Sequence, residues 1–187
     1  MSQPIRVSLL LGSYASTAYS RKIADYLIAH APQNYELTLL ETNHLPLYDR
    51  DMDTLDPQPE AYTRLRESIA SSDAIILITP EHNASIPAVL KNAIDVCTRP
   101  AGTNLWEGKP TGIITLGAAM AGGQRVGDHL RNMYTAMGAP LVPVQTPLSQ
   151  IFRAFDEDGQ LNSESVIKRL DSFLESFADF VPRHHNA

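Results

Sequence analysis

The chain has one cysteine, Cys97, in 187 residues. An internal disulfide framework is therefore excluded, and a lone cysteine on an apolar helix reads as a small buried hydrophobe. Basic residues are few: 15 Lys and Arg against 21 Asp and Glu leave a net charge of −6. The cations are scattered and form no stripe of the kind that tracks a phosphate backbone, so no nucleic acid partner is expected. Long hydrophobic runs are missing too. A stretch such as residues 74–78 is far short of the ~20 apolar residues that span a bilayer, so no membrane insertion is expected. The opening Met1-Ser2-Gln3-Pro4 carries no charged region leading into an apolar one, and a cytoplasmic protein is expected. On the same ground the triplet Asn83-Ala84-Ser85 is discounted as a glycosylation acceptor.

Two phosphate-binding signatures are absent. No Gly-x-Gly-x-x-Gly loop occurs, and the approximate P-loop from Gly102 to Lys109 has one residue too many and Pro110 where Ser or Thr is required. Metal spacing is lacking as well. His184-His185 has no further ligand placed by spacing and reads as a solvated tail, while Asp156-Glu157-Asp158-Gly159 lacks the EF-hand pattern and reads as a turn. No repeat, linker or low-complexity segment interrupts the chain, and residues 1–187 read as one domain.

Short runs rich in Ile, Leu and Val alternate with longer stretches of helical periodicity, the pattern of parallel strands joined by crossover helices. Strands are predicted at residues 5–11, 35–40, 74–78, 111–116 and 141–144. The helices between and after them carry Ile23, Leu27 and Ala31; Tyr62, Leu65 and Ile69; Val89, Leu90 and Ile94; Val126, Leu130, Met133 and Met137; and Val166, Leu170, Phe173, Leu174 and Phe177. Phe173, Phe177 and Phe180 read as core, with part of that stripe available to a subunit interface. Five strands of this kind imply an α/β doubly wound parallel sheet of order 2-1-3-4-5 with helices on both faces. Its ligands would bind at the carboxyl ends of the strands, in the turns at 12–20, 79–85 and 117–123. Residues 41–60, with Pro46, Pro57 and Pro59, form a long irregular connection.

The first turn joins Gly12 and Ser13 to Ser16, Thr17, Tyr19 and Ser20 before a helix, a setting that suits a monophosphate; the same hydroxyls equally suit a helix cap. The turn at Pro80, Glu81, His82 and Asn83 offers polar groups for the edge of a planar heterocycle. His82 reads as a neutral ring hydrogen bonding or stacking in a cleft rather than as an acid or base, and no catalytic residue is assigned.

The run Thr79-Pro80-Glu81-His82-Asn83-Ala84-Ser85-Ile86-Pro87 through Leu90-Lys91-Asn92-Ala93-Ile94-Asp95 resembles the signature PEYNxSxPxxLKNAID of the NADPH-dependent FMN reductase family, the flavodoxin-like quinone, chromate and azo-dye reductases. Further likeness lies in Leu10-Leu11-Gly12-Ser13, Leu45-Pro46-Leu47-Tyr48-Asp49, Gly122-Gly123-Gln124-Arg125 and Phe155-Asp156-Glu157-Asp158-Gly159, so it covers nearly the whole chain. The resemblance implies a flavodoxin-like domain with bound FMN, NADPH or NADH as electron donor, a quinone-like or other small-molecule electron acceptor served in alternating half-reactions, and a homodimer or homotetramer. It places Ser13 on the FMN phosphate and Pro80, Glu81 and Asn83 along the flavin ring; Tyr19, Ser20, His82 and Gly117 complete the expected contacts. Where the family turn reads GSxRxxSxNR, this chain has Ala15, Ala18 and Ser20; His82 replaces a tyrosine, and Ala119 a glycine. Loss of the arginine removes a charge-assisted contact worth ~1.5–3 kcal/mol, roughly ten- to hundredfold in affinity, so weaker FMN binding is expected. Two alternatives stay open: a flavin reductase that releases reduced FMN to a partner monooxygenase, and a flavodoxin-like binding module with impaired flavin binding.

Overall fold

The computed structural model describes residues 3–184. Five parallel strands form one sheet in the order β2-β1-β3-β4-β5. They are β1 (Ile5–Leu11), β2 (Tyr35–Leu39), β3 (Ala74–Pro80), β4 (Thr111–Leu116) and β5 (Thr146–Leu148). The crossover helices are α1 (Tyr19–Ala29), α2 (Glu60–Ser71), α3 (Ala88–Val96) and α4 (Gln124–Ala136), and α5 (Glu164–His184) follows β5.

The uninterrupted apolar runs make the central strands, as burial on both sides requires. Alternate residues of β3 face opposite ways: Ala74, Ile76 and Ile78 join one core with Ile23 and Leu27 of α1 and Leu170, Phe173 and Phe177 of α5. Ile75 and Leu77 join the other, with Tyr62 and Ile69 of α2, Leu90 and Ile94 of α3, and Val126 and Leu130 of α4. Cys97, at the end of α3, is fully buried in this second layer. Burial pushes its thiol up to about 12.

Several sequence expectations need correcting. Residues 141–144 make only an isolated bridge, Leu141 to Thr111, closed by Val142 N–H donating to the Thr111 carbonyl at 3.0 Å. Pro143 has no N–H to continue that ladder, and pairing resumes at Thr146 opposite Ile114, so the fifth strand lies later than predicted. On α4 the fully buried stripe is Val126, Leu130 and Tyr134, while Met133 and Met137 are half-buried. The Tyr134 ring packs against Trp106 at 5.3 Å and brings more apolar area than a methionine. Ala31 lies past the end of α1. His184 is no solvated tail: it ends α5 with its ring stacked on Phe180 at 3.8 Å, whereas His185 lies outside the described residues. Among the described residues no helix is long and apolar enough to cross a membrane.

The long connection from β2 to α2 is held down rather than free. Asn92 of α3 accepts from the Tyr48 N–H at 2.8 Å and donates to the Pro46 carbonyl at 2.9 Å, and the Tyr62 hydroxyl donates to the same carbonyl at 3.0 Å. Half-buried Leu45, Tyr48 and Met52 pack beneath it on the core.

Candidate active site

Parallel strands all end on one side, and there the turns after β1, β3, β4 and β5 surround a cavity of about 360 Å³. Ser13, Ala15, Thr17, Ala18, Tyr19 and Ser20 line one end; Pro80, Glu81 and His82 come from the β3 turn; Leu116, Gly117 and Ala118 come from β4; Ile151 and Phe152 close the far wall. The volume falls in the range of small-molecule sites, ~300–1,000 Å³.

The first turn is built around Gly12. A Cβ there would come within 1.9 Å of the Thr79 hydroxyl, so only glycine lets β1 and β3 meet as they leave the sheet. Beyond it the Ser20 hydroxyl donates to the Ser13 carbonyl at 2.9 Å and closes the turn. Of the two readings of these hydroxyls, the helix cap is not formed: the residue preceding α1 is Ala18, with no side-chain cap. Tyr19 and Ser20, the first residues of α1, line this end of the cavity, and the Arg21 N–H donates to the Ala18 carbonyl at 3.3 Å; a helix start without a side-chain cap is a setting that attracts an anion.

At the second turn His82 and Ser85 exchange backbone hydrogen bonds of 3.1 and 2.8 Å around Asn83 and Ala84, whose φ values are 49° and 59°. This tight two-residue loop has both central residues left-handed, as in a type I′ turn. It carries Asn83 outward, and Asn83 does not line the cavity; the other seven expected contacts do. Glu81 is at the wall, but its carboxylate accepts from Arg125 at 3.1 Å and from the Val126 N–H at 3.4 Å. It thus fills the start of α4, where a negative charge is favoured. The imidazole of His82 is on an exposed residue.

The third turn needs Gly117, since a Cβ would meet the backbone of Gly122 and Gly123 at 2.7–2.8 Å. The Gly117 N–H donates to the Leu148 carbonyl and its own carbonyl accepts from Ile151 N–H, which draws the segment after β5 over the cavity. Ile151 and Phe152 were missed by sequence reading because the fifth strand was placed too early, which left this segment outside the ring of turns. The signal available was the apolar pair Ile151-Phe152 following a second candidate strand. Tyr19 stacks on Phe155 at 5.2 Å and separates this cavity from a more polar groove of about 590 Å³ lined by Lys22, Asp25, Tyr26 and His30.

A family model described as NADPH-dependent FMN reductase matches residues 5–152, which include all four turns. The chain belongs to the NADPH-dependent FMN reductase family. Relatives within and around it are similar over nearly their full length. A quinone reductase of Pseudomonas putida is 39% identical over 184 residues, covering 97% of each chain. A 2-hydroxy-1,4-benzoquinone reductase of a Burkholderia species is 30% identical, covering 95% of this chain and 96% of its own. Among solved structures, the flavoenzyme NAD(P)H:(acceptor) oxidoreductase FerB from Paracoccus denitrificans superposes with a TM-score of 0.83 at 32% identity, covering 96% of this chain and 98% of its own. For an FMN reductase the cavity fits the group at its ring end, where Pro80, Gly117 and Phe152 line the wall and Gly117 adds no side chain.

Proposed function

We propose that this FMN reductase transfers electrons from NADPH or NADH to a quinone-like acceptor through FMN held in the cavity at the strand ends. The observation that carries the reading is the combination, in one cavity, of an uncapped helix start with a wall that includes Pro80, Gly117 and Phe152. When bound, FMN supplies the capacity to accept and return a hydride; the protein supplies position. In this reading Ser13 and the N–H groups at Tyr19 and Ser20 hold the phosphate end. Pro80, His82 and the backbone at Glu81 border the ring, and Gly117 keeps the floor open. Glu81 acts by fixing its turn against α4. No side chain need transfer a proton, and positioning the reacting atoms ~3–3.5 Å apart accounts for the protein's part. The Pseudomonas and Burkholderia relatives, a quinone reductase and a 2-hydroxy-1,4-benzoquinone reductase, support the quinone class of acceptor.

The same reading takes residues 1–187 as one cytoplasmic domain with no nucleic acid partner, assembled as a homodimer or homotetramer. Exposed apolar groups near the cavity mouth support assembly: Met120 is 74% exposed and Phe152 47%. Sedimentation of the purified protein tests it, and a monomer at micromolar concentration contradicts it.

The first test is the absorption spectrum of the protein saturated with FMN, before and after anaerobic NADPH or NADH. Flavin bands that bleach with nicotinamide and return with a quinone are expected. No binding and no bleaching would refute the proposal. A second reading, release of reduced FMN to a partner, is favoured by one observation, the absence of a cation among the residues lining the phosphate end. Bands lost on desalting with turnover of free FMN are its mark.

A further inference from the structure

Resting on that reading, we infer that Phe152 and Arg153 form a specificity element for the acceptor, one that raises affinity for planar quinones carrying a negative charge relative to uncharged quinones of similar size. Phe152 lines the cavity yet is 47% exposed, so its ring borders both the cavity and solvent. The guanidinium of the next residue, Arg153, lies over that ring at 5.5 Å. A positive charge thus stands on an aromatic plate at the cavity rim, a pairing that the ring's own charge distribution favours.

The plate is fixed in place. The Ile151 N–H donates to the Gly117 carbonyl at 3.1 Å, the Gln150 N–H to the Ala119 carbonyl at 3.4 Å, and the Ser149 hydroxyl to the Met120 carbonyl at 2.5 Å. Three successive residues therefore tie this segment to the turn after β4. Gln150 holds a φ of 46° at the entry to the short helical turn of residues 151–153, a conformation that persists in a non-glycine residue only where the surroundings dictate it. Its side-chain oxygen accepts from Arg153 Nη1 at 3.3 Å and steers the guanidinium.

Charge supplies the rest of the argument. Other cations on the segments around the cavity are already met: Arg21 by Glu41 at 2.5 Å, Lys22 by the Gly159 carbonyl at 2.9 Å, and Arg125 by Glu81 at 3.1 Å. Arg153 has an amide oxygen and a ring, and among the described residues no carboxylate partner. The acidic residues next along the chain belong to the turn in which Asp156 accepts from the Gln160 N–H and the Gly159 carbonyl accepts from Lys22. A guanidinium carries five N–H donors, and on the exposed Arg153 most of them stay open to a ligand. A quinone bearing a sulfonate, a carboxylate or an ionised hydroxyl therefore finds at this rim a ring to stack on and a cation that the protein leaves unmatched. Arg153 acts by charge alone: the quinone takes a hydride from the reduced flavin and a proton from solvent, and leaves as the hydroquinone.

The test is titration of the oxidised, FMN-loaded protein with a naphthoquinone sulfonate and with menadione, an uncharged counterpart. Binding is read from the flavin difference spectrum with no reductant present, apart from turnover. Arg153→Gln is expected to weaken the sulfonate relative to menadione by about two- to fivefold, the effect of one exposed ion pair; Arg153→Glu is expected to weaken it further, and Arg153→Lys to keep most of the preference. The gap between the wild type and Arg153→Gln is expected to close at high salt. A ratio of dissociation constants that stays constant across the series overturns the inference. So does an equal loss for both quinones, which would mark Arg153 as support for the segment alone. Stopped-flow mixing of the chemically reduced protein with each quinone separates the inference from the function it rests on. Reoxidation by both quinones with an unchanged binding ratio overturns the inference and leaves the proposed function standing, and reoxidation by neither overturns both.

Discussion

Asn92 is 9% exposed and joins two segments far apart in the chain, so its removal is a direct test of how the long β2–α2 connection is held. In Asn92→Ala the Tyr48 N–H loses its acceptor in a partly buried site, and the Pro46 carbonyl keeps only the Tyr62 hydroxyl. Two hydrogen bonds worth ~0.5–1.5 kcal/mol each, plus the cost of an unsatisfied donor, give a loss of roughly 2–4 kcal/mol. For a domain of this size that is a fall in Tm of about 5–15 °C. Asn92→Asp is expected to be nearly as harmful, since it keeps an acceptor for Tyr48 but turns a carboxylate oxygen toward the Pro46 carbonyl. Urea unfolding gives the magnitude, and limited proteolysis within residues 41–59 reports local release. A loss below about 1 kcal/mol with cleavage unchanged would refute the reasoning, and would assign the connection's order to the packing of Leu45, Tyr48 and Met52 instead.

Other perturbations follow from features of the same structure. Ala84 holds a φ of 59°, which costs an L-residue roughly 1–2 kcal/mol, so Ala84→Gly is expected to raise unfolding stability by about 1 kcal/mol in urea titration; a destabilised variant would contradict the turn geometry. Cys97 ionises near 9 when exposed but at about 12 in the fold, so the unfolded state sheds its proton first and stability falls as pH rises from about 9 to 12. Cys97→Ala is expected to flatten the stability profile between pH 9 and 10, before the buried tyrosines contribute, and the native thiol is expected to resist alkylation at pH 8. Tyr26 ties α1 to α5 by donating to Asp171 at 2.7 Å, and Tyr26→Phe is expected to cost about 1 kcal/mol in the same assay.

The parts of this molecule that could be read from sequence are those where one physical demand dominates. Ile75 through Ile78 are buried on both faces, and nothing but a central strand accommodates four such residues in a row at that length. The turns after β1, β3 and β4 followed from the strand order, because a doubly wound sheet fixes which ends gather. Misreadings arose where two demands competed. Residues 141–144 satisfy β propensity, but Pro143 withdraws a donor, and the ladder moves to Thr146. Tyr134 looks polar in a periodic count, yet its ring fills space against Trp106 that Met133 and Met137 leave. The hydroxyls of residues 16, 17 and 20 suggested a cap, while backbone geometry gave that position to Ala18. Glu81 illustrates a further limit: sequence places it at the cavity, and only the fold shows its carboxylate aimed at α4.

The break that shifted the fifth strand also bears on how the molecule behaves in crowded solution. An outer strand of ordinary length offers neighbouring chains a row of free donors and acceptors on which to add. Here the sheet margin is divided by Pro143 into a lone bridge and a three-residue strand, and that strand itself contains Pro147, which donates nothing. A second chain finds too short a template to extend, and the margin resists edge-to-edge growth without a single charged residue being needed on β5.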